Sequence, residues 1–127
     1  MYTFNKSERL CSQKLIEELY HSGHRIIVFP YSVTWKYYEG TDFEEGAQAL
    51  ITTSKRKFHH AVDRNRVKRL TRECYRLHKP EFYEMLAQHE KKLIISFNYI
   101  HTEILSYRKL SKKFDKIMMQ LNKELSK

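Results

Sequence analysis

The sequence is poor in residues that interrupt a compact fold. Its 127 residues include only three glycines and two prolines, and no stretch rich in glycine, proline or serine that would act as a linker. The two cysteines, Cys11 and Cys74, are too few for a disulfide framework and are not spaced as a metal-binding pair, so both are expected to be reduced thiols. We therefore expect a single domain over residues 1–127.

Long apolar runs are also missing. No segment approaches the roughly 18 consecutive apolar residues of a membrane span, and the first ten residues lack the apolar segment of a signal peptide. The sequence therefore predicts a cytoplasmic protein without a membrane partner. Seven Phe, nine Tyr and one Trp supply bulky side chains for a core.

Positive charge is plentiful and very unevenly distributed. The net charge is +9, yet residues 55–79 alone carry ten Lys or Arg against two acids, a local net charge of +8. A solvated helix face normally mixes both signs, and this segment does not. Such a concentration indicates a surface that binds a polyanion, and nucleic acid is the commonest polyanion in a cytoplasm.

Hydrophobic periodicity in the first half of the chain predicts one helix and three strands. The helix is expected between its N-cap Ser12 and the terminating Gly23. Strands at 25–29, 31–38 and 47–54, with an acidic turn at 39–46, suggest an antiparallel meander. In the second strand one face is expected in the core (Tyr31, Val33, Trp35), and the other is more polar (Ser32, Thr34, Lys36, Tyr38).

The second half predicts a long basic helix from residue 61 that ends near Pro80, a short helix over 81–91 and a buried strand at 92–100. A final amphipathic helix over 106–125 would bury Leu110, Phe114, Ile117, Met118, Leu121 and Leu125. The resulting order, αβββαβα, indicates an α+β fold in which helices pack on one single-layer, four-stranded sheet.

At about 100° per residue, the basic helix separates into two faces. The predicted apolar face holds Val67, Leu70, Cys74 and Leu77, with Arg66 at its edge, and the opposite face holds Arg64, Asn65, Lys68, Arg69, Arg72 and Arg76. Like charges four residues apart repel by a few tenths of a kcal/mol, and a row of phosphates would reverse the sign of that interaction. Lys55, Arg56 and Lys57 come just before the helix and extend the region that would attract an anion.

Residues 55–76 resemble the signature of a known family, the protein subunit of bacterial ribonuclease P. The matching elements are Lys55-Arg56, Ala61-Val62, Arg64-Asn65-Arg66, Lys68-Arg69 and Arg72-Glu73. The resemblance extends to the N-terminal helix and the element order, and so covers most of the chain. It implies an accessory subunit of an endoribonuclease that removes the 5′ leader of precursor tRNA. The cleavage is then carried out by a large RNA subunit with Mg²⁺ bound mainly through RNA, without catalytic protein residues, an organic cofactor or a further protein partner.

The same resemblance implies roles for individual residues. The residues expected to contact the RNA subunit are Lys55, Arg56, Lys57, Arg64, Asn65, Arg66, Lys68, Arg69, Arg72 and Arg76. A cleft between the first helix and the sheet is expected to hold the leader of precursor tRNA against Tyr20, Ile16, Thr34 and Lys36, with Ile16 at a position where the family often has an aromatic residue. The family also implies a left-handed connection from the third strand through the basic helix to the fourth. Two departures stand out: the link 57–60 lacks the family's usual glycine, and residues 80–92 look like added length.

Several alternatives remain open at this stage. A structural, ribosomal-type RNA-binding protein would share the charge, and a sequence-specific DNA-binding protein would place the basic helix in a major groove. A protein-only nuclease would need a metal-binding acidic cluster beside the basic face, and the sequence has none there. Asn65 is either a helix-start residue or an RNA contact. Tyr20 is either part of the core or a residue that stacks on a leader base. Cys74 is expected to be buried, Glu73 to pair with a neighbouring Arg, and His59, His60 and His78 to form no metal site.

Overall fold

The computed structural model describes residues 6–41, 43 and 46–127 and shows the predicted order αβββαβα, preceded by a short 3₁₀ turn at Lys6–Glu8. The helices are α1 (Gln13–Ser22), α2 (Ala61–Gln88) and α3 (Tyr107–Leu125). The strands are β1 (His24–Val28), β2 (Tyr31–Tyr37), β3 (Ala47–Thr53) and β4 (Leu93–Tyr99). Within the acidic turn expected at 39–46, residues 42, 44 and 45 lie outside the described residues.

The predicted ends of α1 are confirmed. The Ser12 hydroxyl accepts a hydrogen bond from the Leu15 amide at 3.3 Å, which satisfies one of the amides left unpaired in the first turn. At the other end, the Gly23 amide donates to the Leu19 carbonyl at 2.8 Å.

The strand order across the sheet is β1-β2-β4-β3. β1 and β2 form the expected antiparallel hairpin, but β3 pairs in parallel with β4, which lies between β2 and β3. The predicted antiparallel meander is therefore wrong at its third strand. Alternation along a strand shows which face is buried and does not show which strand is its neighbour. Parallel neighbours need a crossover connection, and α2 provides it; the left-handedness of this crossover stays a prediction.

Helix α2 does not end near Pro80 but continues through it to Gln88, and it includes the segment predicted as a separate short helix. A proline inside a helix costs about 3 kcal/mol because it lacks an amide donor and clashes with the preceding turn. Beyond Pro80, however, Phe82 and Leu86 are buried in the core. Burial of two such side chains contributes about 3–6 kcal/mol, enough to offset that cost.

The helices pack on both faces of the sheet. α2 and α3 cover one face, where they bury Tyr31, Val33 and Trp35 as predicted. The predicted stripe of α3 is confirmed, since all six of its residues are buried: Leu110, Phe114, Ile117, Met118, Leu121 and Leu125. On the opposite face, α1 covers a smaller cluster formed by Leu10, Leu19, Tyr38 and Ile94.

Among the residues described, no helix combines the length and the apolar character needed to cross a membrane.

Two sets of polar contacts fix α2 to the rest of the fold. The hydroxyls of Tyr31 and Thr71 are hydrogen-bonded at 2.8 Å, and both residues are fully buried. Burial raises the pKa of Tyr31 far above its usual value, so its hydroxyl keeps its proton. Further along α2, Lys79 forms an ion pair with Glu8 at 2.8 Å, and the Tyr83 hydroxyl also donates to Glu8. The second set connects the N-terminal turn to α2.

We expect Thr71→Val to lower the free energy of unfolding by about 1–3 kcal/mol, because it leaves the buried Tyr31 hydroxyl without a partner. Urea denaturation followed by circular dichroism measures the loss. The double variant Tyr31→Phe/Thr71→Val removes both hydroxyls and is expected to recover part of it. If the loss in the double variant equals the sum of the losses in Thr71→Val and Tyr31→Phe, this hydrogen bond does not stabilise the packing of α2 on the sheet.

Candidate nucleic-acid interface

The buried side of α2 is rotated relative to the sequence prediction. The buried residues are Val67, Thr71, Cys74, Tyr75, His78, Phe82 and Leu86. At 100° per residue this stripe is centred roughly 80° from the predicted apolar face. As a result, Leu70 is only partly buried and Leu77 is 42 % exposed, so its predicted burial is wrong. The prediction failed because Thr71 and His78 are polar residues that enter the core with hydrogen-bond partners.

The rotation presents four signature residues to solvent: Asn65, Arg66, Arg69 and Arg72. None of the three arginines has an ion-pair partner within the described part of the chain. Arg69 and Arg72 are three residues apart and therefore neighbours on the helix surface. Uncompensated guanidinium groups in this arrangement suit phosphate oxygens, which they can bind through two parallel hydrogen bonds. Lys68 is half-buried at the edge of this group.

Arg64 has a local structural role. Its Nη1 donates to the carbonyl oxygens of Phe58 at 2.8 Å and His59 at 3.0 Å. These bonds tie the loop that enters α2 to the first turns of the helix, where the N-cap His60 makes no side-chain capping bond. Asn65 is four residues beyond the start of α2, so its alternative role as a helix-start residue is wrong.

Arg76 is held by an acid on its own helix. Its Nε donates to Oε2 of Glu73 at 3.1 Å, which confirms the pairing expected for Glu73. This hydrogen bond holds the pKa of the Glu73 carboxyl below its usual value, so the carboxylate stays charged beside the arginine. Arg76 therefore adds less positive charge to the surface than Arg69 and Arg72 do.

The three cations that precede α2 lie on an ordered turn. Lys55, Arg56 and Lys57 are all exposed. The Arg56 amide donates to Oγ of Ser54 at 3.0 Å, and the Lys57 amide donates to the Ser54 carbonyl at 3.2 Å. Phe58 is buried in the main core and anchors the turn from the other side. The link without glycine is thus held in place next to the start of α2.

On the opposite face of the sheet, α1 brings together three of the four residues predicted for the leader cleft. The hydroxyls of Tyr20 and Ser96 are hydrogen-bonded at 2.6 Å, while the Tyr20 side chain remains 52 % exposed, so its alternative placement in the core is wrong. Thr34 pairs directly with Ser96 across β2 and β4. Ile16 packs, half-buried, on the cluster under α1 and lies on the same flank of the helix as Tyr20.

Lys36 lines a different groove, with a volume of about 750 Å³, on the other flank of α1. Leu15, Glu18 and Ser22 form the helix side of this groove, and Tyr38 lies on its sheet side together with Lys36. Helix α1 therefore separates Lys36 from Tyr20.

The sequence reasoning missed two polar residues on the Tyr20 side of the sheet. Ser96 is a buried polar residue inside the apolar run of β4. Arg25, exposed on β1, donates from Nε to the Ser32 hydroxyl at 2.9 Å. A polar residue in the middle of an otherwise apolar strand was the signal that would have identified Ser96.

The described residues contain no group of three His, Cys, Asp or Glu side chains arranged to hold a metal ion. Both ring nitrogens of His78 are engaged, one with the Cys74 carbonyl and the other with the Asp115 carboxylate. Burial raises the pKa of the Cys74 thiol to about 12, so this side chain is a small apolar group of the core, as predicted, and not a thiolate nucleophile. The chemistry that the described residues support is the binding of anions.

Known proteins share both the sequence pattern and the fold of this chain. The family model described as ribonuclease P matches residues 4–122. The ribonuclease P protein component of Geotalea uraniireducens is 30% identical over 126 residues, which cover 96% of this chain and 97% of the relative. That of Porphyromonas gingivalis is 29% identical over 121 residues, 94% of this chain and 87% of the relative. The solved structure of the Staphylococcus aureus RNase P protein shares the fold, with a TM-score of 0.65 at 18% identity over 91% of this chain and 96% of that one. A family match over nearly the whole sequence, joined to the shared fold, shows that this chain belongs to the ribonuclease P protein family.

Proposed function

We propose that this chain is the RNA-binding subunit of ribonuclease P, which holds the catalytic RNA through α2 and the 5′ leader of precursor tRNA beside α1. The role in tRNA processing follows from membership of the family. The division of labour between the two faces of the sheet is our proposal. The observation that carries it is the group of exposed arginines on α2, Arg66, Arg69 and Arg72, which have no ion-pair partner in the described part of the chain.

The α2 surface suits the phosphate backbone of a folded RNA better than base recognition. Arginines that bind phosphates add affinity without reading a sequence, and among the exposed signature residues only Asn65 carries the amide group that pairs with adenine. Lys55, Arg56 and Lys57, on the turn before the helix, extend the same charge toward its N-terminus, where unpaired backbone amides also favour anions. Binding would then be driven by counterion release and would depend steeply on salt.

The Tyr20 side of α1 suits the unpaired leader. The ring of Tyr20 is half-exposed, and its hydroxyl is hydrogen-bonded to Ser96, so the orientation of the ring is set before any ligand binds. An oriented aromatic ring beside a polar sheet can stack on a base of any identity. Such a site would distinguish precursor tRNA, which has a leader, from mature tRNA, which does not.

Mg²⁺ belongs to the RNA in this proposal. The described residues offer no ligand set for a divalent ion, and Mg²⁺ commonly binds through phosphate oxygens and water. The contribution of the protein is positive charge, which reduces the repulsion between RNA segments and so lowers the concentration of Mg²⁺ that they need. The catalytic groups are assigned to the RNA, and the enzyme is the complex of RNA and protein.

The α2 surface should account for most of the effect of the protein on cleavage. We expect the protein to stimulate cleavage of precursor tRNA by the cognate RNA subunit at low Mg²⁺, and Arg69→Gln/Arg72→Gln to remove most of the stimulation. In titrations against the RNA subunit, the slope of log affinity against log salt should fall by about 1.4–1.8, which corresponds to two lost phosphate contacts. The matched control is Lys14→Gln/Lys91→Gln, which removes the same charge from two exposed residues elsewhere.

Three results would contradict this proposal in different ways. Equal losses in the variant and the control would show that net charge matters and the α2 surface does not. RNA binding without any stimulation of cleavage would favour a structural RNA-binding protein. Stimulation that survives in the α2 variant would move the RNA site to another surface.

The ring of Tyr20 should account for part of the preference for precursor over mature tRNA. Tyr20→Ala should reduce the preference for precursor over mature tRNA about 5- to 150-fold, the equivalent of one lost base stack. Tyr20→Phe and Ser96→Ala both break the hydroxyl pair but keep the ring, so they should retain most of the preference. The preference is measured as the ratio of the affinities for mature tRNA and for precursor tRNAs with leaders of several lengths. A loss of the same size in all three variants would show that the hydrogen bond matters and that the ring does not stack.

A further inference from the structure

The solvent-facing side of α3 is a second cationic surface that the sequence analysis did not single out. Its exposed basic residues are Arg108, Lys109, Lys112, Lys116 and Lys123, and Lys113 is half-buried beside them. Both acids of the helix are already engaged, Asp115 with His78 at 2.7 Å and Glu124 with Lys127 at 3.3 Å. None of the six cations has an ion-pair partner in the part of the chain that the structure describes.

This surface borders a groove between α3 and the end of β1, with a volume of about 360 Å³. The α3 side is formed by Lys113, Lys116, Met119 and Lys123, and the other side by Ile27 and Phe29. No carboxylate is among the residues that line it. Ile27 is 56 % exposed and Phe29 50 %, and the Phe29 ring contacts the imidazole of His101 at 4.8 Å between ring centres.

The lysines of α3 repel one another. Lys112 and Lys116 are four residues apart, and Lys113 and Lys116 are three apart, so both pairs are neighbours on the helix surface. Each like-charge pair destabilises the helix by a few tenths of a kcal/mol. An anionic partner that binds this face would remove that repulsion.

The spacing and the exposed ring together favour a polynucleotide over an isolated anion. Lys113 and Lys123 are ten residues apart, about 15 Å along the helix, which is too far for one phosphate group to contact both and fits successive phosphates of a strand. Beside them, Phe29 presents an apolar ring that a base can stack on while the lysines contact the adjoining phosphates. We propose that this groove is a second RNA-binding surface, which holds a short unpaired segment of the ribonuclease P RNA, because α3 lies on the same face of the sheet as α2 and on the opposite face from α1. The inference rests on the RNA-binding function proposed above.

The position of the groove gives it a function distinct from that of α2. Helix α2 packs over β3, α3 contacts β1, and these two strands are the opposite edges of the sheet. RNA at the groove would therefore contact the protein at a different place from RNA on the exposed arginines of α2. Two separated contacts would fix the orientation of the protein on the RNA, which one helix alone cannot do.

The test compares three variants in the same titration against ribonuclease P RNA transcribed in vitro, with and without precursor tRNA. Lys116→Gln/Lys123→Gln is expected to reduce the slope of log affinity against log salt by about 1.4–1.8. Arg69→Gln/Arg72→Gln reports on α2, and Lys14→Gln/Lys91→Gln, at two exposed lysines away from both surfaces, is the control for net charge. An α3 variant that matches the control while the α2 variant loses binding would overturn this inference and leave the proposed function standing. A wild-type protein that does not bind either RNA would overturn both.

A second measurement tests the aromatic contact. Phe29→Ala should weaken binding of a fluorescein-labelled oligouridylate of ten nucleotides about 5- to 150-fold, while Phe29→Trp, which keeps an aromatic ring, should retain it. Thermal melting of both variants checks that they fold. If Phe29→Ala folds and binds like the wild type, the ring does not stack on RNA. A second copy of the chain is the other possible occupant of the groove, and sedimentation equilibrium of the free protein tests for it. If the protein self-associates and Lys116→Gln/Lys123→Gln abolishes the self-association, the groove binds a second copy and the RNA assignment is overturned.

Discussion

The rotation of α2 about its own axis determines which of its cations face outward. That rotation is set by the residues that the helix buries against the sheet, and the hydroxyl pair between Thr71 and Tyr31 fixes it at a buried point. With the helix seated in this way, Arg69 and Arg72 point to solvent, while Arg64 reaches back to the loop. A helix of the same sequence rotated as the apolar residues alone suggest would expose a different set of cations.

Local patterns were sufficient to predict the features that depend on neighbours in the sequence. The cap at Ser12, the buried stripe of α3 and the inward face of β2 all follow from spacing within one element. Contacts between distant segments were not predictable in this way. The path of α2 through Pro80 depends on a core that the helix meets only after folding, and the partner of β3 is a strand 40 residues further on.

The candidate site likewise combines features that the sequence predicts with contacts that it does not. The signature residues could be identified from the sequence, but the contacts that distinguish them could not. Arg64 is bonded to the carbonyls of two loop residues and Arg76 to Glu73, so the cations of one signature have different environments. On the other face, alternation along β2 placed Thr34 and Lys36 together correctly. It could not show that α1 crosses between them and puts Lys36 in a separate groove.

The position of β4 between β2 and β3 has a consequence for how the protein is made. Chains emerge from the ribosome N-terminus first, at about 5–20 residues per second. β2 and β3 therefore emerge before the strand that joins them, and α2 emerges before the sheet beneath it is complete. Until residues 93–99 have been synthesised, the sheet that orients the arginines of α2 is incomplete. Synthesis thus delays the finished cationic face of α2 until about three quarters of the protein exists. A nascent chain stopped earlier would carry the charge of α2 without the sheet that orients it.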